Sequence, residues 1–150
     1  MRVIIQRVSE AKVEVNKTVV GSIQKGFLLL VGIEDLDGKD DIEWMSRKIC
    51  SLRVFSDSEE KMNLDIRNIK GEILAVSQFT LHARYKKGSR PSFIRAAHPD
   101  LATPIFEKLC AQLESDLGKP ISTGKFGAMM DVSLVNDGPV TLFLDTKNKE

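Results

Sequence analysis

The chain has 150 residues, 22 basic against 21 acidic side chains, and 42% hydrophobic content; this predicts one domain over residues 1–150 with a core that needs no staples. Such proportions exclude a disordered tail, a collagen and a coiled coil, and a pI near 7.8 excludes a polybasic protein, so any nucleic-acid contact must be a local patch. The longest apolar run, Phe27 to Val31, is far short of the roughly 20 residues that cross a bilayer, and Met1 to Arg7 turns polar too early for a signal-peptide core, so a cytoplasmic chain without membrane contact is expected.

In chain order, Arg2 to Val15 carries six Val or Ile residues in imperfect alternation and predicts a half-buried strand. Asn16-Lys17 predicts a hairpin turn, because Asn tolerates positive φ, and Thr18 to Ile23 returns. Gly26 and Gly32 bracket Phe27 to Val31, a run without charge that suits a strand buried on both faces. Asp40 or Asp41 is expected to cap a helix in which Ile42, Met45, Ile49 and Leu52 recur at helical spacing. Ile73 to Phe79 predicts another buried strand. A second helix is expected from Asp100, with Pro104 in its first turn, the stripe Ile105, Leu109, Leu113 and Leu117, and a stop at Gly118-Lys119-Pro120. Met130 to Val135 and Val140 to Leu144 read as two last strands joined by a turn at Asn136-Asp137-Gly138-Pro139. Strands before, between and after two helices predict an α+β fold: mostly antiparallel sheet in a barrel-like core with two main helices packed outside.

Charge is sorted into blocks. Ile73 to Pro99 holds no acidic residue but five basic ones, Arg84, Lys86, Lys87, Arg90 and Arg95, whereas Glu34 to Glu60 holds nine acidic against four basic. The basic block is either a solvated loop or a set of phosphate contacts, with Tyr85 and Phe93 available to stack on bases. Five such contacts allow salt-sensitive docking without sequence reading.

Familiar catalytic signatures are missing: there is no GxSxG, HExxH, GxxxxGK[ST] or GxGxxG, and Gly124-Lys125-Phe126-Gly127 lacks the spacing of a phosphate loop. His82 and His98 have no partner at metal-ligand spacing and read as solvent-facing, so neither a metal nor another cofactor is expected. Cys50 and Cys110 read as small core residues of a reducing compartment. Two features remain. Ser77-Gln78-Phe79-Thr80 carries a buried strand into polar groups, which either satisfy a strand-to-loop turn or hold an oxyanion. Gly138-Pro139 is either a plain hairpin turn or a stiff mount for its carbonyl groups. A non-enzymatic RNA-binding module and a hydrolase of small esters using Thr80 or Ser77 both remain compatible with these residues.

Ser77-Gln78-Phe79-Thr80-Leu81 together with Asn136-Asp137-Gly138-Pro139-Val140-Thr141 resembles the paired signature of D-aminoacyl-tRNA deacylases. Gln6-Arg7-Val8, Arg53-Val54-Phe55-Ser56-Asp57, Met62-Asn63-Leu64, Arg90-Pro91-Ser92-Phe93 and Gly124-Lys125-Phe126-Gly127-Ala128 extend the likeness over the whole chain. The resemblance implies hydrolysis of the ester of tRNA charged with a D-amino acid or glycine, by a homodimer with active sites at the subunit interface. It implies that Gly138-Pro139 is cis and enters the partner's pocket, with Arg7 holding the turn and Phe126, Ala128 and Met129 lining the pocket. Groups at Ser77, Gln78, Phe79 and Thr80 would carry catalysis. Arg84, Lys86, Lys87 and Arg90 would meet tRNA phosphates.

Overall fold

The computed structural model describes residues 1–86 and 88–150. Its elements in chain order are β1 (Arg2–Val15), β2 (Thr18–Ile23), β3 (Gly26–Gly32), α1 (Lys39–Ser51), β4 (Phe55–Ser56), β5 (Met62–Leu64), β6 (Glu72–Ser77), a 3₁₀ turn (Phe79–His82), α2 (Pro99–Leu117), β7 (Ser122–Thr123) and β8 (Asp131–Asp145).

β1 organises the molecule. It pairs antiparallel with β3 through its first half, with β2 through its second, and with β8 along almost its whole length. The sheet runs β2-β1-β3-β6-β7, and its β3–β6 and β6–β7 pairs are parallel. β7 comes back beside β2, where Ser122 Oγ donates to the Ser22 carbonyl at 3.0 Å, so the mixed sheet nearly closes into a barrel. Inside it lie Val8, Ala11, Val13, Ile23, Leu28, Leu74 and Val76. The opposite face of the same strands presents Val3, Ile5, Phe27, Leu29, Val31, Ile73 and Ala75 to the two helices. This two-sided burial is why Phe27 to Val31 carries no polar residue.

Helical spacing delivers the outer layer. Ile42, Met45 and Ile49 of α1 and Ile105, Leu109 and Leu113 of α2 are buried, and truncating a fully buried leucine such as Leu109 to alanine costs about 2–5 kcal/mol. Ser46 Oγ donates to Asp116 Oδ2 at 2.7 Å and joins the helices. Gly118, at φ +78°, ends α2 in the left-handed conformation.

Several expectations need correction. Gly38, not Asp40 or Asp41, is the N-cap of α1; Asp41 acts from inside the first turn, its Oδ2 accepting the Gly38 N–H at 3.0 Å. α2 starts at Pro99, one residue before the expected Asp100, and Pro104 lies in its second turn and not its first, on an exposed face. The strand expected to reach Phe79 stops at Ser77, since the next residues wind into the 3₁₀ turn. The short β4–β5 hairpin carried no sequence signal. The last two strands are one strand, β8. Among the described residues no helix is long and apolar enough to cross a membrane.

Candidate active site

Two groups of residues stand out. The first lies where β6 ends. Val31 and Ser77 are register partners in the parallel β3–β6 pair, and the Gln78 N–H continues the ladder by donating to the Val31 carbonyl at 2.7 Å. The chain then winds into the 3₁₀ turn, closed by Leu81 N–H on the Gln78 carbonyl and Ala83 N–H on the Thr80 carbonyl. Gly32 makes room for it, because a Cβ there would come within 3.0 Å of both the Gln78 carbonyl oxygen and Leu81 Cβ.

The turn leaves its leading amides open. No described residue accepts from the Phe79 or Thr80 N–H, as expected for the first amides of any helical turn. The Gln78 side-chain amide donates to Thr80 Oγ1, so that oxygen is an acceptor and its own proton can be directed elsewhere. Among the described residues no histidine or carboxylate bonds the Thr80 hydroxyl, and a base for it as nucleophile is lacking.

Phe79 is 56% exposed, and its ring meets Phe93 edge to face at 5.1 Å. The Phe79–Phe93 contact ties the basic segment to the turn and the Ala97 N–H on the Ile33 carbonyl ties it to the end of β3, while the paired backbones of Arg84 and Ser92 close the segment on itself. Arg84, Tyr85, Lys86 and Arg90 are exposed on it. Lys87 lies outside the described residues. His82 corrects the expectation of a solvent-facing histidine: it is 1% exposed.

The second group is built on β8. Gln6 pairs with Thr141 and Val8 with Asn136, so the single residue Arg7 faces Asp137, Gly138, Pro139 and Val140. The motif expected to be a hairpin turn is therefore a wide bulge inside a continuous strand, a place in a sheet where proline is tolerated. The Gly138–Pro139 bond is cis. Arg7 is 8% exposed; its Nε donates to the Asp137 carbonyl at 3.0 Å and its Nη1 to the Val54 carbonyl. The Asp137 carboxylate stands 3.3 Å from the same Nε. Asn136 staples the bulge from the other side, donating to Thr141 Oγ1 at 3.0 Å while its Oδ1 accepts the Val140 N–H at 3.2 Å. Gly138 and Pro139 remain exposed at the tip.

The remaining expected residues divide. Met129 is 92% exposed and Ala128 is half-buried. The Phe126 ring packs on Phe106 of α2 at 5.8 Å and lines a groove of about 440 Å³ with Thr103, Cys110, Glu114 and Lys125. A second groove, of about 370 Å³, lies between Lys12, Gln24 and Ser133. Neither groove includes residues 77–80 or 138–139. Cys110 is inert as a nucleophile, since burial pushes its thiol up to about 12. The sequence reading missed two bulge supports. Val54 acts through its backbone carbonyl and leaves no side-chain signal, whereas Asn136, a residue suited to bonding nearby backbone, was legible as one.

The family model described as D-Tyr-tRNA(Tyr) deacylase matches residues 4–145. A D-aminoacyl-tRNA deacylase of Flavobacterium psychrophilum is 56% identical over 150 residues, and one of Bacteroides thetaiotaomicron 54%, each match covering 100% of both chains. A solved structure of c-Myc DNA Unwinding Element Binding Protein superposes with TM-score 0.90 at 38% identity, over 97% of this chain and 99% of that one. A structure of a probable eukaryotic D-amino acid tRNA deacylase, at TM-score 0.80 and 16% identity over 95% and 97%, shares the fold.

Proposed function

The chain belongs to the D-Tyr-tRNA(Tyr) deacylase family, and from that premise we propose that it hydrolyses the ester of D-aminoacyl-tRNA, and of glycyl-tRNA mischarged on tRNA-Ala, to free tRNA and amino acid. The observation that carries this reading is the Arg7-held bulge, which presents Gly138 and Pro139 at its tip instead of using them to reverse the chain. We place the working site between two copies, with Gly138 and Pro139 of the partner subunit entering the space beside Phe79 and Thr80. Support comes from the exposed tip, from β8 having only β1 as a strand neighbour among the described residues, and from exposed Met129, Val135 and Phe143.

Chirality is then read by a clash. Carbonyl oxygens facing the α-carbon accept the hydrogen of a D or glycyl residue and collide with an L side chain, so selectivity comes from repulsion. The ester is already activated, and positioning with oxyanion stabilisation supplies the acceleration. The amides of Phe79 and Thr80 suit the oxyanion, since Gln78 has committed its amide to the sheet. Water attacks the carbonyl carbon, assisted by the neighbouring ribose hydroxyl; the ester C–O bond breaks and the leaving 3′ oxygen takes a proton. Thr80 serves as a hydroxyl donor. Arg84, Lys86 and Arg90 meet acceptor-stem phosphates, contacts that are neutral to sequence.

Matched D- and L-tyrosyl-tRNA provide the test, with glycyl-tRNA-Ala as a third substrate. Release of D-tyrosine and glycine, with L-tyrosyl-tRNA intact, is expected, and Thr80→Ala should retain substantial activity. Equal hydrolysis of both enantiomers removes the clash. Binding of tRNA without hydrolysis of either favours a second reading, a nucleic-acid binder, which the name of the 38% identical structure and the exposed basic segment keep in view.

A further inference from the structure

We propose that Arg2, together with Asp145, is a positioning residue for the Phe79–His82 turn; its catalytic consequence rests on the deacylase reading above. Arg2 Nη1 donates to the Leu81 carbonyl at 3.0 Å and Nε to Asp145 Oδ2 at 2.9 Å. Asp145 is 8% exposed, and its other oxygen accepts the Lys147 N–H at 2.9 Å, so the carboxylate is a fixed anchor. Arg2 pairs in register with both Gly32 of β3 and Asp145 of β8. One guanidinium thus joins the far end of the turn to the strand that carries the bulge.

The turn needs such a tether. A four-residue 3₁₀ turn has poor internal hydrogen bonds and leaves its last carbonyls without partners. His82, its last residue, is buried, and its Nε2 has no partner among the described residues. The bond from Arg2 is charge-assisted and correspondingly strong. The open amides of Phe79 and Thr80 lie at the other end of the same short turn, so loosening the Leu81 carbonyl moves both. A guanidinium can serve Leu81 and Asp145 together because its donors are held in a planar fork; an ammonium cannot match that geometry.

Steady-state deacylation of D-tyrosyl-tRNA by Arg2→Met, Arg2→Lys and Asp145→Asn tests the assignment. Arg2→Met should lower kcat about tenfold with KM within twofold, as misplaced oxyanion donors do. Arg2→Lys should recover part of the loss, and adding Asp145→Asn to Arg2→Met should cost little more, because the two residues act as a unit. Amide hydrogen exchange read over residues 79–83 should quicken in Arg2→Met while β3 is unchanged. Unaltered kcat and exchange, or a rise in KM alone, overturns the assignment. If Arg2→Met does not fold, the kcat and exchange of the other two variants decide. A wild-type protein without deacylase activity sinks the functional reading instead, and exchange alone then settles the tether.

Discussion

Gly138 has a backbone φ of +124°, and a Cβ built on it would sit 2.6 Å from Arg7 Nη2 and 3.0 Å from Val140 Cγ2. A side chain there must displace the guanidinium that holds the bulge, in a backbone region that L residues rarely adopt. Gly138→Ala should therefore lower single-turnover hydrolysis of D-tyrosyl-tRNA at least about tenfold, given the sensitivity of catalysis to misplacement of order 1 Å. Its melting temperature should fall as well, because the positive φ and the displaced guanidinium both cost stability, so rates are read well below the unfolding transition; wild-type rates in this variant would count against the bulge as the selective element. The polar residues of the site were legible as residue types, whereas Arg7 entered only through the family resemblance. Its partners were not legible, because the carbonyls of Val54 and Asp137 come from segments about 50 and 130 residues away, and backbone oxygens look alike in every sequence.

At the scale of elements, periodicity read the two helices and strands β1 to β3 correctly, since burial of one or two faces writes itself into residue order. It failed at β8. A proline after a glycine between two alternating runs signals a break in pairing, and a hairpin and a wide bulge share that signal. What decides is that both flanks lie against β1, a long-range fact. The same limit applies to the Phe79–His82 turn, which is shorter than any period can register. Within the bulge Asn136 makes two side-chain bonds, one of them part-buried. Asn136→Ala should cost about 1 kcal/mol of stability, the worth of an ordinary hydrogen bond, and should lower the ratio of D- to L-tyrosyl-tRNA hydrolysis more than the D rate itself. Urea denaturation and paired enantiomer assays measure the two effects; an undiminished ratio means that Arg7 alone fixes the tip.

Across the whole molecule, ion pairs gather around the start of β1. The Met1 ammonium bonds buried Asp37 and, at 2.9 Å, Thr146 Oγ1, while Lys147 Nζ reaches Asp37 at 3.4 Å and Asp41 at 2.9 Å. Partial burial alone would raise the Asp41 carboxyl, but hydrogen bonds from Thr146, Lys147 and the Gly38 amide bring it down to about 2. Asp145 is lowered in the same way: burial raises it, and bonds from the Lys147 amide and Arg2 outweigh that. Carboxyls depressed in the folded state contribute stability above their unfolded pKa of about 4 and lose it as pH falls through the folded value. Urea midpoints should thus be steady near neutrality and decline between about pH 4 and pH 2. Asp41→Asn should lower the neutral midpoint and flatten that decline; an unchanged acid limb would assign the loss to other groups. The Lys147 ammonium is raised, chiefly by its bond to Asp41. Its contribution is full below the ordinary lysine range, fades as pH rises from there through the elevated folded value, and is gone above it. The acidic block that holds Asp37 and Asp41 was visible in sequence, but its meeting with Met1 and Lys147, from the two ends of the chain, was not; barrel closure by β7 against β2 was equally hidden.

β1 and β8 sit at opposite ends of this chain and yet are one another's longest partners. During synthesis the ribosome delivers the oldest strand with one side waiting, and roughly 120 further residues must emerge before its mate arrives, at about 5–20 residues per second. For those seconds the nascent polypeptide carries a strand edge without its mate, so a stalled or prematurely terminated product exposes unpaired backbone and is a natural client for chaperones.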